Sequence, residues 1–351
     1  MARALVTGGT GFVGSHIARA LAARGHSVRV LHRASSRLEA LNGVPFESAL
    51  GDALDEDALR AACGGCDWVF HAAAVADYWQ ADRQRLYAVN VEGTRRALRA
   101  ARAAGVRRVV FTSSAAAVGF GRRGQPADER QPFNLLPHQF PYGHSKHLAE
   151  QAARYAWATH RQEVVIVNPV VVMGPGDLNL ISGRFILEVA RLQWTIPVTS
   201  GGIGVTDVRD VARWHIAAAE SGQPGERYIL GTANYTYSDW YAMIADTAGV
   251  ARPFLPAPGW ALPLAAALVE RLRALGAALP VDPEQTRLGA RRIFFDYRKA
   301  WDAFGPPQID MHTSLRDTYD WYAARGLIQP GAAGRAIAQA GALLGLRAAR
   351  P

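Results

Sequence analysis

Residues 3–21, RALVTGGTGFVGSHIARAL, restrict the fold of this chain more than any other stretch. A short apolar run ends in glycines at 8, 11 and 14, and an amphipathic helical pattern follows at once. In such a strand, turn and helix unit Gly8 lets the chain turn, Gly11 lets the backbone approach a pyrophosphate, and Gly14 lets the helix pack closely. The N-terminus of that helix then directs its partial positive charge at the phosphates. The spacing predicts a dinucleotide site built from Gly8, Thr10, Gly11, Phe12, Val13 and Gly14.

The same rhythm continues downstream. Apolar runs at 27–32, 44–50, 67–73, 107–114 and 163–169 alternate with helical stretches, notably 11–24, 82–104 and 143–160. Strand, helix, strand at this rhythm predicts a parallel sheet covered on both faces, with ligands at the carboxyl ends of its strands. At 351 residues the chain is long enough for two lobes around a cleft. The expectation is an α/β protein, a Rossmann doubly wound parallel sheet with a smaller, interleaved α/β substrate-binding lobe. Residues 1–168 and 201–225 are assigned to the nucleotide-binding part, 169–200 and 226–328 to the smaller lobe, and 329–351 to a C-terminal tail.

Short motifs then narrow the class. After the glycine turn come GD at 51–52, HAAA at 71–74, NVEGT at 90–94, SS at 113–114 and YGHSK at 142–146. In this order the chain resembles the extended branch of the short-chain dehydrogenase/reductases, the NAD-dependent epimerase/dehydratase superfamily, over residues 2–328. The resemblance implies that Asp52 and Ala53 lie at the adenine, that Ala72, Ala73, Ala74, Asn90, Thr112 and Ser113 line the cofactor, and that Pro169, Val171 and Val172 close around the nicotinamide.

YGHSK carries the chemistry. Of 39 basic residues only Lys146 and Lys299 are lysine. Tyr142 and Lys146 are four apart, so they share one face of a helix. The resemblance makes the tyrosine the proton donor or acceptor, and gives the lysine the ribose and the task of lowering the tyrosine pKa. Ser114 then orients the reacting oxygen, with Ser113 the neighbouring alternative. A free phenol titrates near ~10 and needs a nearby cation to act at neutral pH. Lysine is a compact point charge where arginine is a wide planar fork, which accounts for a lysine in an arginine-rich chain. Lys299 lacks such a partner and reads as surface or structural.

Which reaction this triad serves depends on its neighbours. Dehydratases of the superfamily carry Asp-Glu after the serine or threonine, whereas Ala115 and Ala116 here can transfer no proton. Nucleotide-sugar enzymes tend to place an arginine near the diphosphate, in a segment where this chain has Val205 and Thr206. That favours reductases of the dihydroflavonol reductase and 3β-hydroxysteroid dehydrogenase kind. The NP…GP.D and GERYILG segments (168–177 and 225–231) also resemble a hopanoid-associated family named as sugar epimerases, so epimerisation with a retained NAD is the alternative. A non-catalytic cofactor-binding module is the third reading.

At the tip of the second strand an NAD enzyme usually carries an acid for the ribose hydroxyls. Here His32 stands in its place, followed by Arg33, Ser35, Ser36 and Arg37, groups that suit a 2′-phosphate. NADP(H) is expected, with NAD(H) the alternative. Tyr78, Trp79, Phe120, Asn168 and Trp194 are the expected substrate-pocket residues, which suit a mainly hydrophobic small molecule.

The remaining features are bland. A net charge of +9 on scattered arginines predicts a solvated surface and no nucleic-acid partner. Cys63 and Cys66 stand in a turn without the further ligands that a metal site needs, and no metal is expected. The start of the chain reads as the first strand with no signal peptide, which predicts a cytoplasmic protein. Residues 258–279 form an apolar then basic stretch too short to span a bilayer, read as packing beside the pocket or lying on a membrane surface. Helices 82–104 and 143–160 resemble the pair that builds a homodimer interface in the superfamily. The tail 331–351 is expected to fray or form a weak helix.

Overall fold

The computed structural model describes residues 1–76, 82–121, 125–137, 140–276, 286 and 288–328. Tyr78, Trp79 and the tail from 329 onward lie outside the described residues, as does the side chain of Trp194. Strands β1 (Arg3–Thr7), β2 (Ser27–His32), β3 (Glu47–Leu50), β4 (Trp68–His71), β5 (Arg108–Thr112) and β6 (Glu163–Pro169) lie in the spatial order 3-2-1-4-5-6. All their pairings are parallel. A second sheet contains β7 (Val171–Met173), β9 (Gly202–Asp207), β11 (Ala233–Thr236) and β13 (Arg292–Ile293), and β8 (Pro197–Val198) pairs with β12 (Leu255–Pro256). The remaining strand, β10 (Arg227–Leu230), extends the large sheet as a seventh member beside β6.

The assigned boundaries therefore place two strands on the wrong side. β9 falls in the segment assigned to the large sheet but pairs β7, β11 and β13, while β10 falls in the segment assigned to the small lobe but pairs β6. Burial does not separate the two, since every residue of both strands is buried; only their pairing does.

Two helical layers cover the large sheet. Helices α1 (Phe12–Ala23), α2 (Glu56–Cys63), α3 (Arg83–Tyr87), α4 (Thr94–Ala103), α5 (Pro141–His160), α6 (Arg184–Leu192) and α7 (Val208–Ser221) follow in chain order. In β1 and β6 successive residues face opposite sides: Ala4, Val6, Val165 and Val167 join Ile17, Val211 and Trp214 of α1 and α7 in one core. Leu5, Val164 and Ile166 join Leu59, Leu98, Ala149 and Ala153 of α2, α4 and α5 in the other. That is why these strands read as continuous apolar runs and not as alternating ones. The expected helix 82–104 is interrupted by a π-helical turn, Ala88–Gly93, between α3 and α4.

The smaller lobe has its own core, in which Met173, Ile186, Val189, Val205, Trp240, Ile244 and Leu315 are buried. That core draws on α6, α8 (Tyr237–Ala248) and α11 (Met311–Ala324); α9 (Ala261–Ala274) follows β12, and α10 (Arg298–Phe304) buries Ala300 and Phe304 in the core of the large sheet beside α7. Within 258–279, α9 leaves Leu264 and Leu268 exposed. No helix among the described residues is long and apolar enough to cross a membrane. Cys63 and Cys66 are buried free thiols, and burial pushes Cys63 up to about 12, which leaves it inert.

Candidate active site

The glycine turn is shaped by contacts that exclude any side chain. Gly8 adopts a left-handed φ of +71°, and a Cβ there would lie 2.6 Å from the Ala73 nitrogen. A Cβ at Gly14 would lie 2.2 Å from the Gly8 carbonyl oxygen. The Gly11 N–H donates to that same oxygen at 2.9 Å, and Gly11 caps α1 with no side chain over its first turn. The result is a bare backbone cradle at a helix N-terminus, which fits a dinucleotide pyrophosphate. Beside it, Ala72 N–H donates to the Thr7 carbonyl (3.1 Å) and ties the end of β4 to the end of β1.

At the tip of β2 the His32 ring is turned into the sheet, with Nε2 2.7 Å from Ser48 Oγ on β3. It cannot stand in for the ribose-binding acid, because the Ser48 contact and burial hold it there. Arg33 and Arg37 are exposed, and the Ser36 hydroxyl accepts from the Arg33 N–H at 3.2 Å. Asp52 accepts from the Leu54 N–H (2.9 Å), fixing the turn after β3.

Tyr142, Lys146 and Ser114 are brought together. Pro141 starts α5, so Tyr142 stands in its first turn and Lys146 one turn further. Lys146 is 2% exposed; its ammonium donates to the Thr112 carbonyl at 2.9 Å and lies 5.4 Å from the centre of the Phe111 ring. Burial pushes the ammonium down to about 8, and the charge of Glu150 opposes that fall. Burial pushes the Tyr142 phenol up, and a hydrogen bond from Ser114 opposes the rise. The Lys146 ammonium faces the Thr112 carbonyl, and the hydrogen bond that eases loss of the Tyr142 proton comes from Ser114. Ser114 Oγ accepts from the Ala116 N–H (3.2 Å), so its own proton is available to Tyr142.

Three surrounding contacts hold this geometry. Gly143 lets the 3-10 turn Ala115–Ala117 approach α5: a Cβ there would lie 2.7 Å from the Ala116 carbonyl oxygen and 2.5 Å from the Phe140 ring. Asn90, in the π-helical turn, accepts from the Val75 N–H (2.8 Å) and donates to the Val75 carbonyl (3.2 Å) and to Ser145 Oγ (3.0 Å). Ser145 in turn donates to the Tyr142 carbonyl at 2.7 Å. His71 is held between the hydroxyls of Thr7 (2.8 Å) and Thr94 (3.2 Å), and burial and then the Lys146 charge push it down to about 3. It is a neutral spacer under the lysine.

Other expected residues are placed differently. The Thr112 side chain points away, 2.9 Å from His215 Nε2, and only its carbonyl reaches Lys146. Ser113 donates to Glu150 Oε1 at 2.6 Å, which leaves Ser114 as the serine beside Tyr142. Asn168 is fully buried and donates to the Ser114 carbonyl (2.9 Å) and to Glu150 Oε1 (2.5 Å), so it is no pocket wall. The Phe120 ring lies under the Arg291 guanidinium, 4.3 Å from its centre. Pro169 ends β6, and Val171 and Val172 begin the second sheet, so the carboxyl end of β6 adjoins the small lobe. Val205 and Thr206 are both fully buried, and Arg209, the nearest arginine, is bound to Asp207 (2.9 Å) and Asp317 (2.7 Å). Lys299 pairs with Glu226 at 2.6 Å, in keeping with a structural role.

Sequence reasoning missed Gly143 and Glu150. Glu150 carried a signal, since it lies one helical turn beyond Lys146 on the face that meets the sheet.

Comparisons with known proteins show the family and the fold. Residues 4–231 match the family described as NAD dependent epimerase/dehydratase. A Synechocystis sp. protein that carries the provisional name dihydroflavonol 4-reductase is 39% identical over 331 residues, covering 92% of this chain and 95% of that protein. Sterol demethylase protein B of Methylococcus capsulatus is 33% identical over 342 residues, covering 92% of this chain and 99% of its own length. The crystal structure of gox2253 is similar with a TM-score of 0.82 and 34% identity, over 94% of this chain and 100% of that one.

Proposed function

The chain belongs to the NAD dependent epimerase/dehydratase family, the extended short-chain dehydrogenase/reductases, and from that premise we propose a reductase that uses NADPH on the carbonyl group of a mainly hydrophobic substrate. The observation that carries this reading is the cluster of Ser114, Tyr142 and Lys146 with no carboxylate at 115 or 116. When bound, the nicotinamide supplies or accepts the hydride, and the glycine cradle of 8–14 and the Lys146 ammonium would hold it. Tyr142 gives its phenolic proton to the substrate oxygen. Ser114 lies beside that oxygen and gives its single hydroxyl proton to the Tyr142 oxygen, easing loss of the proton from a phenol that burial otherwise holds back. Lys146 contributes a desolvated positive charge beside the ribose.

Exposed Arg33 and Arg37, with no acid at the tip of β2, support NADPH over NADH. Buried Val205 and Thr206 and the engaged Arg209 leave no free cation in that segment for a sugar diphosphate. The sterol in the name of the Methylococcus relative supports a hydrophobic substrate.

A fluorescence titration of the as-isolated protein with NADPH and with NADH, reading energy transfer from its nine tryptophans, tests the proposal. Tighter and freely exchangeable binding of NADPH is expected. No uptake of either, with NAD⁺ released only on denaturation, would overturn it in favour of an epimerase.

A further inference from the structure

Glu150 is a carboxylate with 2% exposure and no access to the reacting atoms, yet four groups from four parts of the fold converge on it. Ser113, just past β5, donates to Oε1 at 2.6 Å, and Asn168, near the end of β6, donates to the same oxygen at 2.5 Å. Arg227, at the start of β10, donates to Oε2 at 3.0 Å, and Arg154, one turn along α5, approaches to 3.8 Å. Two of these donors bracket the Ser114 backbone: Ser113 precedes it, and the Asn168 amide that reaches Glu150 also donates to the Ser114 carbonyl at 2.9 Å. Arg227 extends the network, donating to the Glu129 carbonyl (2.9 Å) and the Gln131 carbonyl (2.6 Å) of the loop that follows Phe120.

We propose that Glu150 is a positioning residue for the reaction: through Ser113 and Asn168 it fixes the Ser114 hydroxyl against Tyr142, and through space it holds Lys146 in its charged form. The proposal rests on the reading of Ser114, Tyr142 and Lys146 as the reacting groups. A buried carboxylate needs donors for its remaining lone pairs as well as a countercharge. Arg227 supplies the charge, and the two donors on Oε1, Ser113 and Asn168, both act on the peptide that carries Ser114. The electrostatic half follows from position. Glu150 lies one turn from Lys146 on the same helix, and its charge is what opposes the effect of burial on the ammonium. From β4, His71 faces the same lysine but is neutral near pH 7; β5 presents only the Thr112 carbonyl and the Phe111 ring, and Tyr142 is an uncharged phenol. Glu150 is thus the negative group that keeps Lys146 protonated, while Arg227 and Arg154 temper it from the far side.

The test is the pH dependence of kcat/KM for Glu150→Gln, Glu150→Gln/Arg227→Met, Ser113→Ala and Tyr142→Phe, with an NADPH-linked carbonyl substrate. Glu150→Gln is expected to lower kcat on the order of 10²-fold, as a small misplacement of a reacting group does, and to move the alkaline limb to lower pH. Ser113→Ala should lower kcat without moving that limb. The double variant removes both buried charges, so it reports on the same quantities where the single variant fails to fold. A folded Glu150→Gln or double variant with wild-type kcat and an unmoved limb, beside an inactive Tyr142→Phe, overturns the positioning role alone. Full activity in Tyr142→Phe overturns the reading of the site and this proposal with it.

Discussion

The Lys146 ammonium donates to the Thr112 carbonyl oxygen at 2.9 Å across the gap between α5 and β5. That bond anchors the lysine to the end of a central strand and not to the tyrosine beside it in sequence. A guanidinium is wider than an ammonium and would have to displace the Phe111 ring or the carbonyl to occupy the same space. Lys146→Arg is therefore expected to weaken both cofactor binding and turnover. Tyr142→Phe should lower kcat by roughly 10²–10⁴-fold, the usual worth of a general acid, with cofactor affinity nearly intact. Steady-state kinetics paired with a binding titration separates the two effects; lost cofactor binding in Tyr142→Phe contradicts its role.

Lys146 also sets an alkaline limit. Its cation is held down to about 8 by burial, so kcat/KM is expected to fall about tenfold per pH unit above that value as the charge is lost. Stability moves the opposite way. Between about 8 and the ordinary lysine value the unfolded chain holds a proton that the folded chain has released, so unfolding binds a proton and stability from this group rises with pH. Urea melts of the cofactor-free protein at pH 8 and pH 10, compared with Lys146→Met, isolate that contribution.

Acid has a distinct target. His71 and His215 are buried neutral, pushed down to about 3 and about 4, mainly by burial. Below the ordinary histidine pKa the unfolded chain binds protons that the fold refuses, so stability falls as pH drops through that range. Each histidine should remove on the order of 2 kcal/mol between pH 7 and pH 5. Denaturant melts of the wild type and His215→Gln check this: between pH 7 and pH 5 the variant should lose about 2 kcal/mol less than the wild type.

Gly143→Ala places a methyl group against the Ala116 carbonyl and the Phe140 ring. Overpacking of this kind typically costs about 1–3 kcal/mol. Here it also pushes the segment after Ser114 away from α5. A fall in kcat is expected at temperatures where the variant stays fully folded, and Gly105→Ala, on the remote turn between α4 and β5, supplies a comparison that leaves kcat unchanged. Unchanged kcat in Gly143→Ala would show that the serine segment tolerates the displacement.

Much of this was legible because the sheet leaves a strong imprint. Each strand of a doubly covered sheet is largely apolar on both faces, and the glycine triplet stands directly after one such run and directly before an amphipathic pattern. Tyr142, Lys146 and Ser114 were legible because YGHSK and the serine pair before it resemble motifs of the superfamily, and helical spacing puts the tyrosine and the lysine on one face. His32 and Asn168 went the other way: each lies beside a site in sequence, but hydrogen bonds to Ser48, and to Ser114 and Glu150, turn their side chains inward. Such partners are distant in sequence, and no local pattern announces them. The exchange of β9 and β10 between sheets failed for the same reason, since both are short buried strands and only pairing distinguishes them.

The path of the chain through the two sheets has a mechanical consequence. It leaves the large sheet after β6, returns for β10, and leaves again for β11, so several covalent crossings join the lobes where a hinged protein has one or two. Two of the crossings are short: Val170 alone separates β6 from β7, and Gly231 and Thr232 separate β10 from β11. A swing of one lobe about a single flexible joint would stretch the others. Access to Tyr142 is therefore expected to depend on the loops around it, and the two lobes are expected to unfold together in one transition.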